Sequence, residues 1–131
     1  MDRVFLDANV LFSAAYSSPG LATLWALAAK KRIKLLTSAY AIEEARRNLD
    51  REEHRARLES LLSAVKIVPE PDPGLPCPAD LPPKDRPVLL AAIQAGPTHL
   101  VTGDLKHFGA YRGCKFSGVL ACTPRDYLTA R

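Results

Sequence analysis

The sequence lacks the long apolar run that a membrane-spanning helix needs. Its longest apolar stretches fall far short of roughly 18 residues, and no charged-then-apolar leader opens the chain. We therefore expect a cytoplasmic protein with no membrane segment. Cysteine is also scarce, and Cys77, Cys114 and Cys122 are an odd number without paired metal-ligand spacing. Free thiols in a reducing compartment are the expected state.

The motifs of several common nucleotide and hydrolase sites are absent as well. The chain has no G-x-G-x-x-G and no G-x-x-x-x-G-K-[ST], which argues against dinucleotide and P-loop sites. It has neither a G-x-S-x-G nucleophile elbow nor an H-E-x-x-H zinc motif. A phosphoacceptor receiver domain would need an aspartate at the end of its third strand, where this sequence has Val68-Pro69-Glu70.

What the sequence does contain is typical of a globular protein. Hydrophobic residues make up 47% of the 131 residues and charged residues 24%, which argues against intrinsic disorder. A chain of this length can bury about two-thirds of its unfolded surface, so we expect residues 1–131 to form a single domain. The net charge of +4 suits a polyanionic partner without requiring one.

Short β-branched or leucine-rich runs alternate along the chain with segments of helical periodicity. Five strands are predicted, at residues 4–6, 34–37, 66–68, 99–102 and 119–122. Helices are predicted at about 21–31, 39–48, 51–63 and 85–95, with a last short helix from Pro124. Seven of the eleven prolines lie in 69–83, which predicts an irregular surface connection. The alternation favours an α/β fold, a three-layer α/β/α sandwich on a mostly parallel sheet.

Acidic residues follow two of these strands where each strand ends. Asp7 comes directly after the first strand, and Asp104 follows the fourth through Gly103. Because ligands bind beyond the carboxyl ends of parallel strands, both side chains are expected in one crevice. Glu44 reaches the same edge from the helix after the second strand. Asp85 is harder to place from connectivity, since a helix leading into a strand usually starts at the opposite edge.

Each of these residues also has a purely structural interpretation. Aspartate is a preferred N-cap, and taken singly Asp7, Asp85 and Asp104 are better explained as caps of a helix or turn. Glu43 and Glu44 also fit an ordinary structural role, as charged side chains on the solvent-exposed face of a helix. Glu43 has arginines three and four positions later, a self-contained surface arrangement, which slightly favours Glu44 as the site residue.

Taken together, three segments resemble a PIN domain. They are FLDANVL at residues 5–11, the spacing from Ser38 to Glu44 before ARRNL at 45–49, and the block 85–104 that ends in LVTGD. The resemblance covers nearly the whole chain. It implies a parallel sheet of five strands in the order 3-2-1-4-5 and a metal-dependent ribonuclease activity. Many small bacterial and archaeal members are VapC-type toxins, which implies an antitoxin partner and permits a homodimer.

Carried over residue by residue, the resemblance implies a catalytic and metal-binding cluster of Asp7, Glu44, Asp85 and Asp104. Supporting side chains are implied at Asn9 and Thr102 and, by a weaker match, at Ser13. Many relatives have a further acid two residues after the one that matches Asp104. Here that residue is Lys106, which argues against strong occupancy of a second metal site. The next residue, His107, is expected to be a surface histidine rather than a phosphate contact.

The chemistry of such a cluster requires a cation. Two carboxylates about 4 Å apart in a partly desolvated cleft repel each other by several kcal/mol, and hard oxygen ligands select Mg²⁺ or Mn²⁺ over Zn²⁺. The expected reaction is in-line attack of a metal-activated water on an RNA phosphodiester. RNA contacts are expected at the cations adjoining the acids, Arg46, Arg47 and Lys106. Two alternatives stay open: a PIN-fold binding or scaffold module that does not cut, and a structure-specific DNA nuclease.

Overall fold

A six-stranded sheet forms the centre of the protein in the computed structural model, which describes residues 1–16 and 18–131 except for the side chains of 105 and 106. The strands are β1 (Asp2–Leu6), β2 (Ile33–Ser38), β3 (Val65–Val68), β4 (His99–Val101), β5 (Lys115–Phe116) and β6 (Val119–Cys122). Their order across the sheet is β3-β2-β1-β4-β6-β5. All neighbouring pairs are parallel except β5 with β6. The predicted α/β fold with a mostly parallel sheet is confirmed.

The strand composition explains why β1 lies in the middle. Val4, Phe5 and Leu6 are fully buried, as expected for a parallel strand covered on both faces. β1 pairs with β2 on one side and with β4 on the other, where Leu6 lies opposite Val101. The residues that follow β1 and β4 therefore emerge next to each other at the carboxyl edge of the sheet.

The predicted five-strand order is confirmed for β3, β2, β1, β4 and β6, and among the described strands the sequence missed the short edge strand β5. This strand has two residues and forms a hairpin with β6, in which Phe116 pairs with Val119. Ser117 and Gly118 form the turn with φ of 51° and 86°, as a two-residue primed turn requires. A strand of two residues is too short to show an alternation of apolar and polar residues, so the turn residues Ser117 and Gly118 were the sequence feature that could have predicted it.

Seven α-helices are described: α1 (Ala8–Ala15), α2 (Pro19–Ala29), α3 (Ala39–Asn48), α4 (Glu52–Leu62), α5 (Arg86–Ala95), α6 (Leu105–Phe108) and α7 (Pro124–Thr129). A 3₁₀ turn (Gly109–Tyr111) follows α6. The sequence predicted α2, α3, α4, α5 and α7 but not α1 or α6. No single helix among the described residues is long and apolar enough to cross a membrane; α1 and α2 reach that length and composition only as a pair, bent by 102°.

The proline-rich connection before α5 is irregular, as predicted, but it is attached to the body of the protein. Leu81 in this segment is only 2% exposed. Gln94 on α5 accepts a hydrogen bond from the backbone of Asp72 and donates one to the carbonyl of Glu70. These contacts attach the start of the connection to the last turn of α5. The three cysteines are free, as the sequence predicted.

Candidate active site

A cleft of about 520 Å³ lies at the carboxyl edge of the sheet, where β1 and β4 end. All four acids singled out in the sequence line it. The described residues around the cleft are Asp7, Ala8, Asn9, Phe12, Glu44, Asn48, Lys84, Asp85 and Asp104. The structure therefore brings together carboxylates from four separate parts of the chain.

Asp7 is both a helix cap and a residue of the cleft. Its backbone N–H donates to the carbonyl of Val101 at 3.0 Å, which extends the β1–β4 pairing by one residue. Its Oδ1 accepts a hydrogen bond of 2.7 Å from the N–H of Ala8 and so caps α1. Its Oδ2 accepts one of 2.8 Å from the hydroxyl of Thr102. Asp7 therefore caps α1 and lines the cleft at the same time, so its capping role does not exclude a role in the cleft.

Asn9 and Thr102 connect the two strand ends through this carboxylate. The Asn9 amide donates to Asp7 Oδ2 at 3.2 Å and accepts from the N–H of Gly103 at 2.7 Å. The Thr102 hydroxyl also accepts from the N–H of Asp104 at 3.1 Å. A side chain at Gly103 would crowd Asn9, since its Cβ would lie 3.3 Å from Asn9 Oδ1. Both residues thus lie where supporting side chains were expected.

Ser13, the weaker supporting candidate, lies one helical turn beyond Asn9 on α1. It is half-buried, but it does not belong to the described lining of the cleft. None of the described hydrogen bonds joins the Ser13 side chain to the acids, and its supporting role stays a prediction.

Burial makes the charge of Asp7 costly. The residue is only 6% exposed, and loss of solvent raises the pKa of its carboxyl to about 6, against the stabilising hydrogen bonds from Thr102 and Ala8. The nearby carboxylates of Glu44 and Asp85 raise this pKa further. Such shifts are common where charges of one sign are held together in a functional cleft.

Glu44 is half-buried on α3 and faces the cleft, whereas Glu43 is exposed and forms an ion pair of 3.3 Å with Arg46. Asn48, one turn later, donates to the backbone carbonyl of Glu44 at 3.0 Å and also lines the cleft. Helical spacing therefore separates the two neighbouring glutamates, one toward the acids and one toward solvent, as the sequence pattern indicated.

Asp85 lies in the cleft, and the expectation that connectivity leaves it at the opposite edge was wrong. A helix between two parallel strands runs back along them, so its end lies beside the start of the next strand and its beginning lies at the carboxyl edge. Gly96, just past α5, accepts a hydrogen bond from the Arg3 guanidinium at the start of β1. The other end of α5 therefore carries Asp85 to the cleft. Its side chain makes no capping hydrogen bond, so the cap interpretation fails here.

His107 belongs to the same site and is not the surface histidine that the sequence predicted. Its Nδ1 lies 2.7 Å from Asp85 Oδ2 and 2.9 Å from Asp104 Oδ2. Its backbone N–H donates to Asp104 Oδ1 at 3.1 Å, so Asp104 caps the first turn of α6. The spacing of an N-cap aspartate and a histidine three residues later was the signal that could have revealed this contact.

The electrostatics on this side of the cleft follow from the same contacts. Asp85 is 8% exposed, and burial is the main cause that raises its pKa. The adjacent His107 and Lys84 lower that pKa, and the Asp104 carboxylate raises it. Lys84 is exposed, lines the cleft and is held through its backbone carbonyl by the Tyr40 hydroxyl at 2.8 Å. Sequence reasoning missed Lys84, although it directly precedes Asp85.

The cations predicted to contact RNA differ in their surroundings. Arg46 is paired with Glu43 and, at 2.5 Å, with Glu59 on α4, so its charge is already shared. Arg47 is exposed on α3, and the described contacts give it no ion pair. The side chain of Lys106 lies outside the described residues, and its predicted contact stays a prediction.

The donor set around His107 fits a divalent metal ion. One ligand atom each from Asp85, Asp104 and His107 lies within 4.8 Å of the other two. Asp85 Oδ2 and His107 Nδ1 are buried, and despite their short separation neither has a properly directed hydrogen bond. Buried polar atoms without partners are rare and destabilising, and a shared cation would satisfy both. Asp7 and Glu44 line the cleft outside this three-residue group.

Comparison with known proteins gives an independent indication of family. A family model described as PIN domain matches residues 3–106. No curated protein matches the chain. A chain in the crystal structure of VapBC2 from Rickettsia felis bound to a DNA fragment from their promoter has a similar fold, with a TM-score of 0.65. The two chains are 17% identical, and the likeness covers 92% of this chain and 98% of that one.

Proposed function

This chain belongs to the PIN domain family, whose members are generally nucleases, and we propose that it is a metal-dependent endoribonuclease. It would hydrolyse phosphodiester bonds of single-stranded or structured RNA. The observation that carries this proposal is the convergence of Asp7, Glu44, Asp85 and Asp104 in one cleft. Carboxylates from four distant segments repel one another, and a fold that gathers them gains most when a cation binds there.

We propose Mg²⁺ or Mn²⁺ as the ion, held by the four acids. When bound, it supplies an activated water and stabilises the negative charge that develops on the phosphate oxygens. The chain's own residues prepare the site. Thr102 and Asn9 fix the orientation of the Asp7 carboxylate, and Asp104 is fixed by the first turn of α6 that it caps. Glu44 would orient the attacking water.

The RNA would be held by cations around the rim of the cleft. Lys84 is the best placed among the described residues, because it is exposed and lines the cleft beside Asp85. Arg47 would contact the backbone further along α3. Arg46 and Lys106 are retained as predicted contacts. Since each neutralised phosphate releases counterions, RNA binding should weaken as the salt concentration rises.

The proposal is tested by incubating purified protein with labelled single-stranded RNA and Mg²⁺ or Mn²⁺. Glu44→Gln and Glu43→Gln form a matched pair, because both remove one charge from adjacent positions of α3 but only Glu44 faces the cleft. Cleavage by the wild type and by Glu43→Gln, but not by Glu44→Gln, supports the proposal. Absence of cleavage with retained RNA binding would favour a binding module, and cleavage of flap DNA instead of RNA would favour a DNA nuclease.

We also propose a protein partner of the antitoxin kind. The family includes VapC-type toxins, and the acidic cleft would accept a basic residue of such a partner. An apolar groove formed by the early helices would take the rest of its contact. Co-expression with a small DNA-binding protein encoded next to this chain's gene should yield a stable complex that does not cleave RNA. A homodimer and a cytoplasmic location stay predictions.

A further inference from the structure

We propose that His107 is a metal ligand, so that the site formed with Asp85 and Asp104 binds transition-metal ions such as Mn²⁺ and Zn²⁺ in preference to Mg²⁺. This inference rests on the proposed metal dependence and deepens it, since it names the ligand that selects the ion. The resemblance to the PIN domain implied an all-carboxylate site without an imidazole. The geometry around His107 points to a mixed oxygen and nitrogen set.

The side-chain atoms of Asp85, Asp104 and His107 converge on one point, as metal ligands do, and they do not form a complete set of hydrogen bonds. His107 Nδ1 lies within 3 Å of two carboxylate oxygens that belong to different residues. A single ring proton cannot be directed at both oxygens, and neither contact has hydrogen-bond geometry. Asp85 is more than nine-tenths buried, and its Oδ2 has no other described partner. At this site, Asp85 Oδ2 and His107 Nδ1 both lack hydrogen-bond partners and face each other.

The imidazole is held in this position by the fold. Asp104 caps α6 through the N–H of His107, and Phe108, the next residue, is 2% exposed and anchors α6 in the core. The backbone of His107 is therefore held by Asp104 at its own N–H and by the buried Phe108 at the next residue. Its side chain is 20% exposed and that of Asp104 is 23% exposed, so the group is open to an entering ion.

The chemical class of the ion follows from the ligand set. Mg²⁺ favours oxygen ligands and keeps much of its water, whereas imidazole nitrogen suits transition-metal ions. Mn²⁺ accepts carboxylates and is a softer ion than Mg²⁺. Two aspartates with one histidine should therefore raise the affinity for Mn²⁺ relative to Mg²⁺, compared with the same site after removal of the imidazole.

Electron paramagnetic resonance of Mn²⁺ tests this assignment without reference to RNA. Metal-free protein is titrated with Mn²⁺, Mg²⁺ competes for the bound ion, and pulsed spectra report whether a nitrogen is bonded to the metal. The wild type should show an imidazole-nitrogen coupling that changes when isotopically labelled histidine is incorporated. His107→Gln should lose that coupling and weaken Mn²⁺ binding by about tenfold or more, with a smaller effect on Mg²⁺.

His54→Gln is the matched control, because His54 Nδ1 is likewise buried without a hydrogen-bond partner but packs against the ring of Tyr16. It should keep the coupling. Bound Mn²⁺ without any nitrogen coupling in the wild type, or equal Mn²⁺ affinity in His107→Gln, would overturn the inference. RNA cleavage is scored separately. Cleavage without coupling rejects only the role of His107, whereas coupling without cleavage rejects only the ribonuclease.

Discussion

The two halves of the cleft are built in opposite ways. On the Asp7 side, Asp7 Oδ1 and Oδ2 both accept short hydrogen bonds, from Ala8 and from Thr102. On the His107 side, Asp85 Oδ2 and His107 Nδ1 are buried and lack directed partners. One half is complete within the protein, and the other half has unused ligand atoms. The difference indicates where an ion is needed first.

Hydrogen bonds alone do not make the Asp7 side stable when it is charged. Despite its partners, the pKa of Asp7 rises to about 6 because burial outweighs them. Ionising this carboxyl therefore costs the folded state about 3 kcal/mol more than it costs the unfolded chain. Without a cation, both halves therefore destabilise the folded state. On the Asp7 side the cause is a buried charge, and on the His107 side it is buried polar atoms without hydrogen-bond partners.

The largest expected effect comes from Asp104→Asn. This change should reduce RNA cleavage on the order of a thousandfold, because it removes a charged ligand from the His107 side. The metal-free protein should be equally or more stable, since one repulsion disappears and asparagine still caps α6. Cleavage assays and thermal melts in EDTA measure the two effects.

Asp126→Asn is the contrasting control for Asp104, because Asp126 forms a capping box with Thr123 and an ion pair of 2.6 Å with Arg112. It should lower the free energy of unfolding modestly, because the neutral amide no longer forms the ion pair with Arg112, and leave cleavage unchanged. A fall of several degrees in the melting temperature of Asp104→Asn, as large as that of Asp126→Asn, would show that Asp104 is chiefly structural.

The second prediction concerns the pH dependence of stability. Because the pKa of Asp7 is raised by folding, the folded state binds more protons between pH 3.8 and about 6. The free energy of unfolding in EDTA should therefore fall by about 3 kcal/mol as the pH rises through this window, and the loss should remain above it. Asp85, whose pKa is also raised, contributes in the same direction.

Asp7→Asn should remove most of this slope and be more stable than the wild type at pH 8. Urea unfolding at a series of pH values measures it. A wild-type stability that rises between pH 4 and pH 6 would contradict the account, because that sign requires a lowered pKa for the cleft carboxyls.

A smaller effect is expected from Thr102→Val, which removes the hydroxyl donor to Asp7 but keeps the shape of the side chain. Stability should fall by about 1 to 2 kcal/mol, and cleavage should fall about tenfold. Thr37→Val is the matched control, since the Thr37 hydroxyl is also buried and donates to the carbonyl of Leu6 at 2.8 Å. It should lose similar stability with little loss of activity. Equal losses of activity would refute a specific orienting role for Thr102.

The smallest effect is expected at the rim. Lys84→Ala should weaken RNA binding several-fold and reduce the slope of log affinity against log salt by about 0.7, as expected for one lost contact with single-stranded RNA. Lys66→Ala, an exposed lysine on β3 outside the described cleft lining, should change neither value. Filter binding at several salt concentrations distinguishes them, and an unchanged slope for Lys84→Ala would remove this residue from the RNA interface.

The sequence was most informative for the Asp7 side. Strand-end reasoning placed Asp7 at the carboxyl edge of the sheet, and the resemblance to the PIN domain added Asn9 and Thr102 as supporting side chains. Hydrophobic strands and helical periodicity depend on local sequence and on burial, which explains why five strands and five helices were predicted, whereas the strand order came from the family resemblance.

The His107 side depends on tertiary contacts, which the helical or strand periodicity of the sequence does not predict. Asp85 reaches the cleft through the direction of α5, which connectivity alone did not place correctly, and only the family resemblance included it in the site. His107 arrives through α6, a helix of four residues, which is too short to show a repeating pattern. A capping aspartate with a histidine three residues later is a local signal, but its meaning appears only when the Asp85 carboxylate is brought to the same point.

The most direct measurement is a crystal structure of the protein soaked with Mn²⁺, with anomalous differences collected at the manganese edge. The account predicts a peak in the cleft, bonded to Asp85, Asp104 and His107. A cleft without any peak, at Mn²⁺ concentrations that support cleavage, would contradict the claim that these carboxylates are gathered to bind a metal ion.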